Sequence, residues 1–430
     1  MNRNVYILGA GVSGIAAGYE LKKKEIESVI IEKNNSWGGL VDNFKIDGFL
    51  FDKFIHLSFS KSDYVNDIFE KTKLFRHKPD GYNYYSGKWL KHPAQNNLFP
   101  LDDDEKKEIL LGFKNRKYKN PSEINNYDDW LRVQYGDYFA ENFPIQYTRK
   151  YWTLDPKKLT TDWISNRMYI PSLEEVENGL KKETKENKFY TNEMRYPVKG
   201  GYKSFLDPMI KNLDFRFGQE INRIDVKNKK IHTNNKEYSY KHLISSLPLP
   251  EICRLINDIP KEILLASKKL KFTSAYLISL GFNKPNIPKH LWFYIYDKDI
   301  PTARIYSPSI KSPNNVPYGC SSFQAETYFN FDNNSKLELN QLLEENINKY
   351  IKMGLFKRED IIMKDIRIEK YANVIFDHNI HKNRKIIKDY LDSKNIVSVG
   401  RFGEWEYYWS DQSILSGKEG AKKIISFLEK

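Results

Sequence analysis

The chain opens on an apolar run of strand length, Val5-Tyr6-Ile7-Leu8, that leads directly into Gly9-Ala10-Gly11-Val12-Ser13-Gly14. A helical pattern follows (Ile15, Ala16, Tyr19, Glu20, Leu21), and a second apolar run, Val29-Ile30-Ile31, ends in Glu32. Glycines spaced Gly-x-Gly-x-x-Gly between a strand and a helix leave few folds open. Gly9 permits the tight turn and Gly11 lets backbone approach a pyrophosphate. Gly14 lets helix and strand pack closely, and the helix N-terminus faces the phosphates. Glu32 falls where a ribose 2′-hydroxyl needs an acceptor. The expectation is an α/β protein built on a Rossmann-like strand–helix–strand unit that holds a dinucleotide.

A second glycine turn, Gly38-Gly39, follows the acid. Backbone brought near the diphosphate twice favours a long, wrapped cofactor, FAD over NAD. The remaining composition mostly excludes. The net charge is +13, but the lysines are scattered in short runs such as Lys22-Lys23-Lys24, with no long basic block, which argues against a nucleic-acid partner. The cysteines, Cys253 and Cys320, cannot form a disulfide framework, and neither they nor the eight His show metal-ligand spacing, so no metal is expected. No apolar run approaches the ~20 residues needed to cross a bilayer. The reading is a soluble protein of the reducing cytoplasm with no membrane span. Tyr is abundant, at 29 residues; its apolar ring and polar tip suit a cleft for sugars and bases.

Along the chain, Phe44 to Asp52 reads as a hairpin turning at Asp47-Gly48, delivering the segment Lys53 to Phe59. Residues 62–150 read as mostly helical, with a loop or strand end at Trp89 to Asn97 where Pro93 breaks the period. Residues 220–226 and 240–246 read as strands. Short alternating strands within 272–330 predict an antiparallel sheet, and 336–353 an amphipathic helix. The chain closes with a strand at 396–399, Gly400-Arg401-Phe402-Gly403, and a helix from about Asp411 to Leu428. The predicted organisation is a discontinuous FAD-binding domain (1–61, 196–255, 385–430), a helical substrate domain (62–165), and a mixed or antiparallel β-sheet substrate domain (166–195, 256–384).

Several islands resemble UDP-galactopyranose mutase and its relatives, FAD proteins within a wider group that includes protoporphyrinogen oxidase and amine oxidases. His92-Pro93-Ala94-Gln95-Asn96-Asn97 resembles the Tyr-Pro-Phe-Gln-Asn-Asn of the eukaryotic-type mutases. Tyr151-Trp152 followed by Asn166-Arg167 resembles their Val-Trp and Glu-Arg pairs. Pro301-Thr302-Ala303-Arg304 resembles the strand carrying a second phosphate-binding arginine, and Gly400 to Tyr407 resembles Gly-Arg-Phe-Gly-Ser-Trp-Arg-Tyr.

The resemblance implies roles for residues. Arg167 and Arg304 would clamp a nucleotide-sugar diphosphate with charge-assisted hydrogen bonds, and Tyr407 would hold that diphosphate beside the flavin. Phe59, His92 and Gln95 fall in the uracil pocket. Trp152 falls on the sugar cleft, and Tyr151 and Asn166 are further substrate-binding positions. Arg401 lies near the isoalloxazine, Asp411 and Gln412 near the ribityl phosphate and pyrimidine edge with Ser413 a further cofactor position, Ile221 against adenine, and His56 on the flavin face. Departures accompany these matches. Phe54-Ile55 replaces a Gly-Gly before His56, and His92 and Ala94 replace aromatic residues. Ile375 stands for a phosphate-contacting tyrosine, and Met194 for a base-stacking tyrosine of bacterial relatives.

The implied activity is an isomerase, redox-neutral overall. Reduced FAD attacks the anomeric carbon of a UDP-sugar (galactose, arabinose or related) through N5, and the covalent flavin–sugar adduct recloses between pyranose and furanose forms, in service of cell-surface polysaccharide biosynthesis. An external reductant such as NAD(P)H or a reductase is implied, because no second glycine fingerprint is evident. A homo-oligomer is implied too. The alternative is an FAD-dependent oxidase or desaturase of the amine oxidase and protoporphyrinogen oxidase group, which shares every nucleotide motif. A non-catalytic flavin-binding protein is a third reading.

Overall fold

The computed structural model describes residues 5–117, 119–165, 167–184, 191–331 and 338–429. The opening motif folds as its glycines require. Strand Val5–Leu8 turns through Gly9, at φ +93°, into helix Val12–Lys23, and strand Ser28–Ile31 returns parallel to the first. The packing at Gly14 is the tightest point of the turn. A Cβ there would lie 2.0 Å from the Gly9 carbonyl oxygen, inside any allowed contact. Glu32 is buried and closes the turn by accepting the Ala10 N–H at 2.9 Å.

These strands are the centre of a five-stranded parallel sheet. Its order is 396–398, 242–245, 5–8, 28–31 and 214–216, so the strands come from three distant stretches of sequence. Near-continuous apolar strands such as Val29-Ile30-Ile31 suit a sheet covered on both faces. Helix 12–23 and the closing helix Ser410–Leu428 pack against each other on this sheet.

A seven-stranded sheet forms the second body, in the order 361–374, 272–282, 321–329, 304–306, 292–295, 81–85 and 88–91. It is antiparallel except where 292–295 runs parallel to 81–85. Strand Phe272–Phe282 shows the two-residue period of a sheet packed on both sides. Ala275 and Leu277 face the core shared with the helical insert, whereas Ile278, Leu280 and Phe282 face helix Leu339–Lys352 through Leu343, Ile347 and Tyr350. The helical insert, residues 103–151, stands on the first face.

Two elements differ from the sequence reading. Residues 81–91, read within a mostly helical stretch, form a hairpin on the edge of the large sheet. Residues 361–374, for which no strand was expected, form its long opposite edge. Among the described residues no helix is long and apolar enough to cross a membrane, and no cluster of His, Cys, Asp or Glu is placed to hold a metal.

Candidate functional site

One cavity of about 990 Å³ runs from the glycine turn of the parallel sheet, past the loop 53–60, to the face of the large sheet and the helical insert. That is the upper end of the range for ligand sites. Its floor at one end is Gly9, Gly11, Gly39, Glu32, Ile221, Gly400, Arg401, Asp411 and Ser413. The first turns of two helices, 12–23 and 410–428, line this end through Val12, Ser13, Asp411 and Ser413, so the positive ends of two helix dipoles stand at it. Gly14 and Gly38 lie behind the wall: Gly14 packs on Gly9, and the Gly38 N–H donates to the Ala10 carbonyl. Gln412 also stands behind it, accepting the Trp409 N–H at 2.8 Å as a helix cap.

The chain's own residues fit an FAD at this end. Gly11 and Gly39 line it with bare backbone, and a Cβ on Gly11 would meet only the Gly39 Cα, at 4.0 Å, so the absent side chain leaves open the space a diphosphate needs.

The middle of the cavity is the loop Phe54-Ile55-His56. Burial holds the His56 imidazole neutral, at a pKa of about 4 against its ordinary 6.5. Its Nδ1 lies 3.0 Å from the Phe54 carbonyl, which can only accept, so Nδ1 carries the proton and Nε2 is an acceptor. The Phe54 side chain is buried and the Ile55 N–H donates to Glu326 Oε1 at 2.9 Å. A backbone that glycines would leave loose is here pinned by a carboxylate.

Glu326 also organises the first arginine. Strands 304–306 and 321–329 are antiparallel, and their register sets Arg304 directly opposite Glu326. Arg304 Nε donates to Glu326 Oε2 at 2.5 Å and Nη2 reaches the Tyr328 hydroxyl at 3.3 Å. Burial alone would discourage the Arg304 cation, but the adjacent Glu326 carboxylate outweighs it and holds the group protonated. The second arginine arrives from the loop after the helical insert. Arg167 lies over the Trp409 ring at 4.0 Å and the Tyr407 ring at 4.4 Å, and donates to the Tyr407 carbonyl. Burial pulls its pKa below the ordinary arginine value, though not into a range where a guanidinium loses its charge.

Between the two arginines stand Tyr151 and Tyr407, hydroxyl to hydroxyl at 2.9 Å. Tyr151 donates to Asn373 Oδ1 at 3.0 Å, so its single proton is committed there and Tyr407 donates to Tyr151. Arg401 Nη2 donates to the same oxygen at 2.8 Å. Trp152 packs 5.2 Å from the Tyr407 ring. The far end is aromatic: Phe59, His92, Gln95, Tyr127, Phe139 and Tyr147 line it. Burial holds His92 neutral, at about 4, and Gln95 Nε2 donates to the Tyr169 carbonyl at 3.2 Å.

The structure thus brings Arg167, Arg304, His56, Phe59, His92, Gln95, Tyr151, Trp152 and Tyr407 onto the wall shared with the glycine turn. Asn166 lies outside the described residues. Glu326, Tyr328 and Asn373 were missed. No local pattern marks them: strand pairing brings Glu326 to Arg304, and the packing of helix Pro144–Tyr151 on the large sheet brings Tyr151 to Asn373.

Residues 7–72 match the family model of the NAD(P)-binding Rossmann-like domain. A 4,4′-diapophytoene desaturase of Staphylococcus aureus is 44% identical over 48 residues, 11% of this chain; the chain spans only 10% of that relative's length. Whole-chain likeness lies in the folds. A reduced UDP-galactopyranose mutase superposes with a TM-score of 0.91 at 24% identity, covering 99% of this chain and 96% of the other. A protein assigned as a protoporphyrinogen oxidase of Exiguobacterium sp. 255-15 gives 0.75 at 15% identity over 99% of both chains. The cyclohexylamine oxidase of Brevibacterium oxydans gives 0.69 at 12% identity, again over 99% of both. The class is therefore a flavin-type oxidoreductase-like fold built on a Rossmann-like domain. Within that class the chain has the overall fold of the UDP-galactopyranose mutase structure.

Proposed function

We propose that this chain is an FAD-dependent nucleotide-sugar mutase that interconverts the pyranose and furanose forms of a UDP-sugar. The observation that carries the reading is the pair of arginines, Arg167 and Arg304, brought from different elements to one cavity that is continuous with the glycine turn. A diphosphate is a dianion, and two guanidinium groups converging from separate bodies can hold it with charge-assisted bonds. An amine or apolar substrate needs neither.

Reduced flavin supplies the nucleophile for such a reaction, and this chain supplies positioning. Arg167 and Arg304 hold the departing nucleoside diphosphate close enough to return. Tyr407 and Tyr151 line the path between them with hydroxyls. The aromatic end takes the base, and Trp152 shields the sugar from water. His56, neutral and acceptor at Nε2, receives a hydrogen bond on the flavin side without adding charge. In this reading the FAD domain is assembled from 1–61, 196–255 and 385–430, with 62–165 and 166–195 plus 256–384 as the substrate domains. An external reductant charges the flavin, and the protein works in the cytoplasm as a homo-oligomer.

The oxidase likenesses give a second reading, oxidation of an amine or desaturation, at the same flavin. Arginine variants separate the two. Arg304→Ala would strand the buried Glu326 carboxylate, so Arg304→Lys is the cleaner change. Arg167→Ala and Arg304→Lys are expected to keep FAD while weakening UDP binding about 10- to 100-fold, the loss of about 1.5–3 kcal/mol from one charged hydrogen bond. Unchanged UDP affinity in titrations of both variants contradicts the clamp.

A further inference from the structure

The loop that carries His56 starts from a charge pair sealed inside the protein. Asp52 ends strand Phe49–Asp52 and Lys311 ends helix Pro308–Lys311. They meet Oδ2 to Nζ at 2.5 Å, and neither side chain has any exposed surface. Asp52 Oδ2 also accepts from the Tyr196 hydroxyl at 2.7 Å, and Oδ1 accepts the Tyr202 N–H at 3.0 Å. The ammonium lies 4.3 Å from the centre of the Tyr306 ring and 4.5 Å from that of Tyr196, so two aromatic rings share its charge. A buried pair of this kind gives little stability over an apolar pair of the same volume, so stability does not account for it. Its position points elsewhere. Asp52 pins one end of the segment 53–55, Glu326 pins the Ile55 N–H at the other, and His56 follows on the cavity wall.

We propose that Lys311 is a positioning residue of the site: it holds the Asp52 carboxylate in a closed pair, fixes the start of the loop 53–60 and withholds that carboxylate from His56. The charged and titratable groups around His56 are Asp52, Lys311, Arg304 with its partner Glu326, and Tyr202, whose ring lies 5.1 Å from the imidazole. Burial is the main force that keeps His56 unprotonated; the Asp52 carboxylate favours the proton, and Lys311 and Arg304 oppose it. An unpaired carboxylate at Asp52 would draw a proton onto the imidazole, fill Nε2 and place a cation on the cavity wall. The pair cancels that charge and keeps the anchor. The inference rests on the proposed function only in taking this wall to face a flavin.

The test follows His56 itself, by NMR of full-length, FAD-loaded protein carrying isotope-labelled histidine, with the His56 signal identified by its loss in His56→Gln. Lys311→Met removes the ammonium and strands the carboxylate. The His56 titration midpoint is then expected to rise from about 4 by about one pH unit or more, the effect a nearby opposite charge exerts. Adding Asp52→Asn to Lys311→Met is expected to return it to the wild-type value. The double variant is the control for structure, because a loosened, wetted loop would raise the midpoint with or without the Asp52 charge. A wild-type midpoint in folded Lys311→Met overturns the proposal, since the carboxylate then needs no partner to be kept from His56. A rise that persists in the double variant overturns it too. If Lys311→Met does not fold, Lys311→Gln, which keeps a donor for Asp52 without the charge, is read by the same two criteria. Wild-type protein whose His56 titrates at its ordinary value, near 6.5, overturns the proposal with no variant at all. Protein that folds but holds no FAD contradicts the flavin reading instead, and the His56 titration still decides the role of Lys311.

Discussion

Glu326 is the residue on which the site turns. It is wholly buried, and it answers both the guanidinium of Arg304 and the backbone N–H of Ile55. Breaking one side of a buried pair leaves an uncompensated charge, which typically costs 3–5 kcal/mol. Glu326→Gln is therefore expected to lower stability by about 3 kcal/mol in denaturant unfolding, and to lower turnover more than an exposed Glu→Gln change such as Glu108→Gln. The neutral histidines make a second prediction at this scale. His56 and His92 have folded pKa values of about 4 by burial, below the 6.5 of an unfolded chain. Between those values the unfolded state binds more protons, so stability falls as pH drops from about 6.5 towards 4 and levels off below. Thermal unfolding across that range is expected to show the decline, and His92→Asn to flatten it.

Elements differ in how far they announce themselves. The opening strand, glycine turn and helix are legible because every determinant is local. Only glycine tolerates φ +93° at residue 9 without strain, and only glycine leaves room for the Gly9 carbonyl at residue 14. Gly14→Ala, which puts a methyl into that 2.0 Å gap, is expected to abolish FAD retention and to lower the unfolding midpoint, read by absorbance of the purified protein and by thermal scans. The closing Gly400 turn and its helix are legible for the same reason. The hairpin 81–91 and the edge strand 361–374 are not. Lys364, Asp365, Arg367, Glu369 and Lys370 make the edge strand read as a solvated segment, because an edge strand has one row of backbone groups and one face free to be polar. Arg304 could be singled out from its motif, but not its partner. Glu326 becomes its neighbour only through the register of two strands joined by a long connection.

At the scale of the molecule, the parallel sheet, the large sheet and the helical insert all contribute to the wall of one continuous cavity, and under the proposed function none of these bodies would hold the ligands alone. Ligands that bridge the bodies stabilise the folded state by mass action, about 2.7 kcal/mol at a hundredfold excess over Kd. FAD removal is expected to lower the unfolding midpoint. UDP is expected to raise it in the FAD-loaded protein, and less so in Arg167→Ala. The proposed function has the cavity hold a nucleotide sugar against a reduced flavin for ring interconversion. Its most direct test is a product screen of dithionite-reduced, FAD-loaded protein with UDP-galactopyranose and UDP-arabinopyranose. Furanose product from at least one of them is the predicted result. No furanose from any nucleotide sugar, together with peroxide formed from an amine, would contradict it.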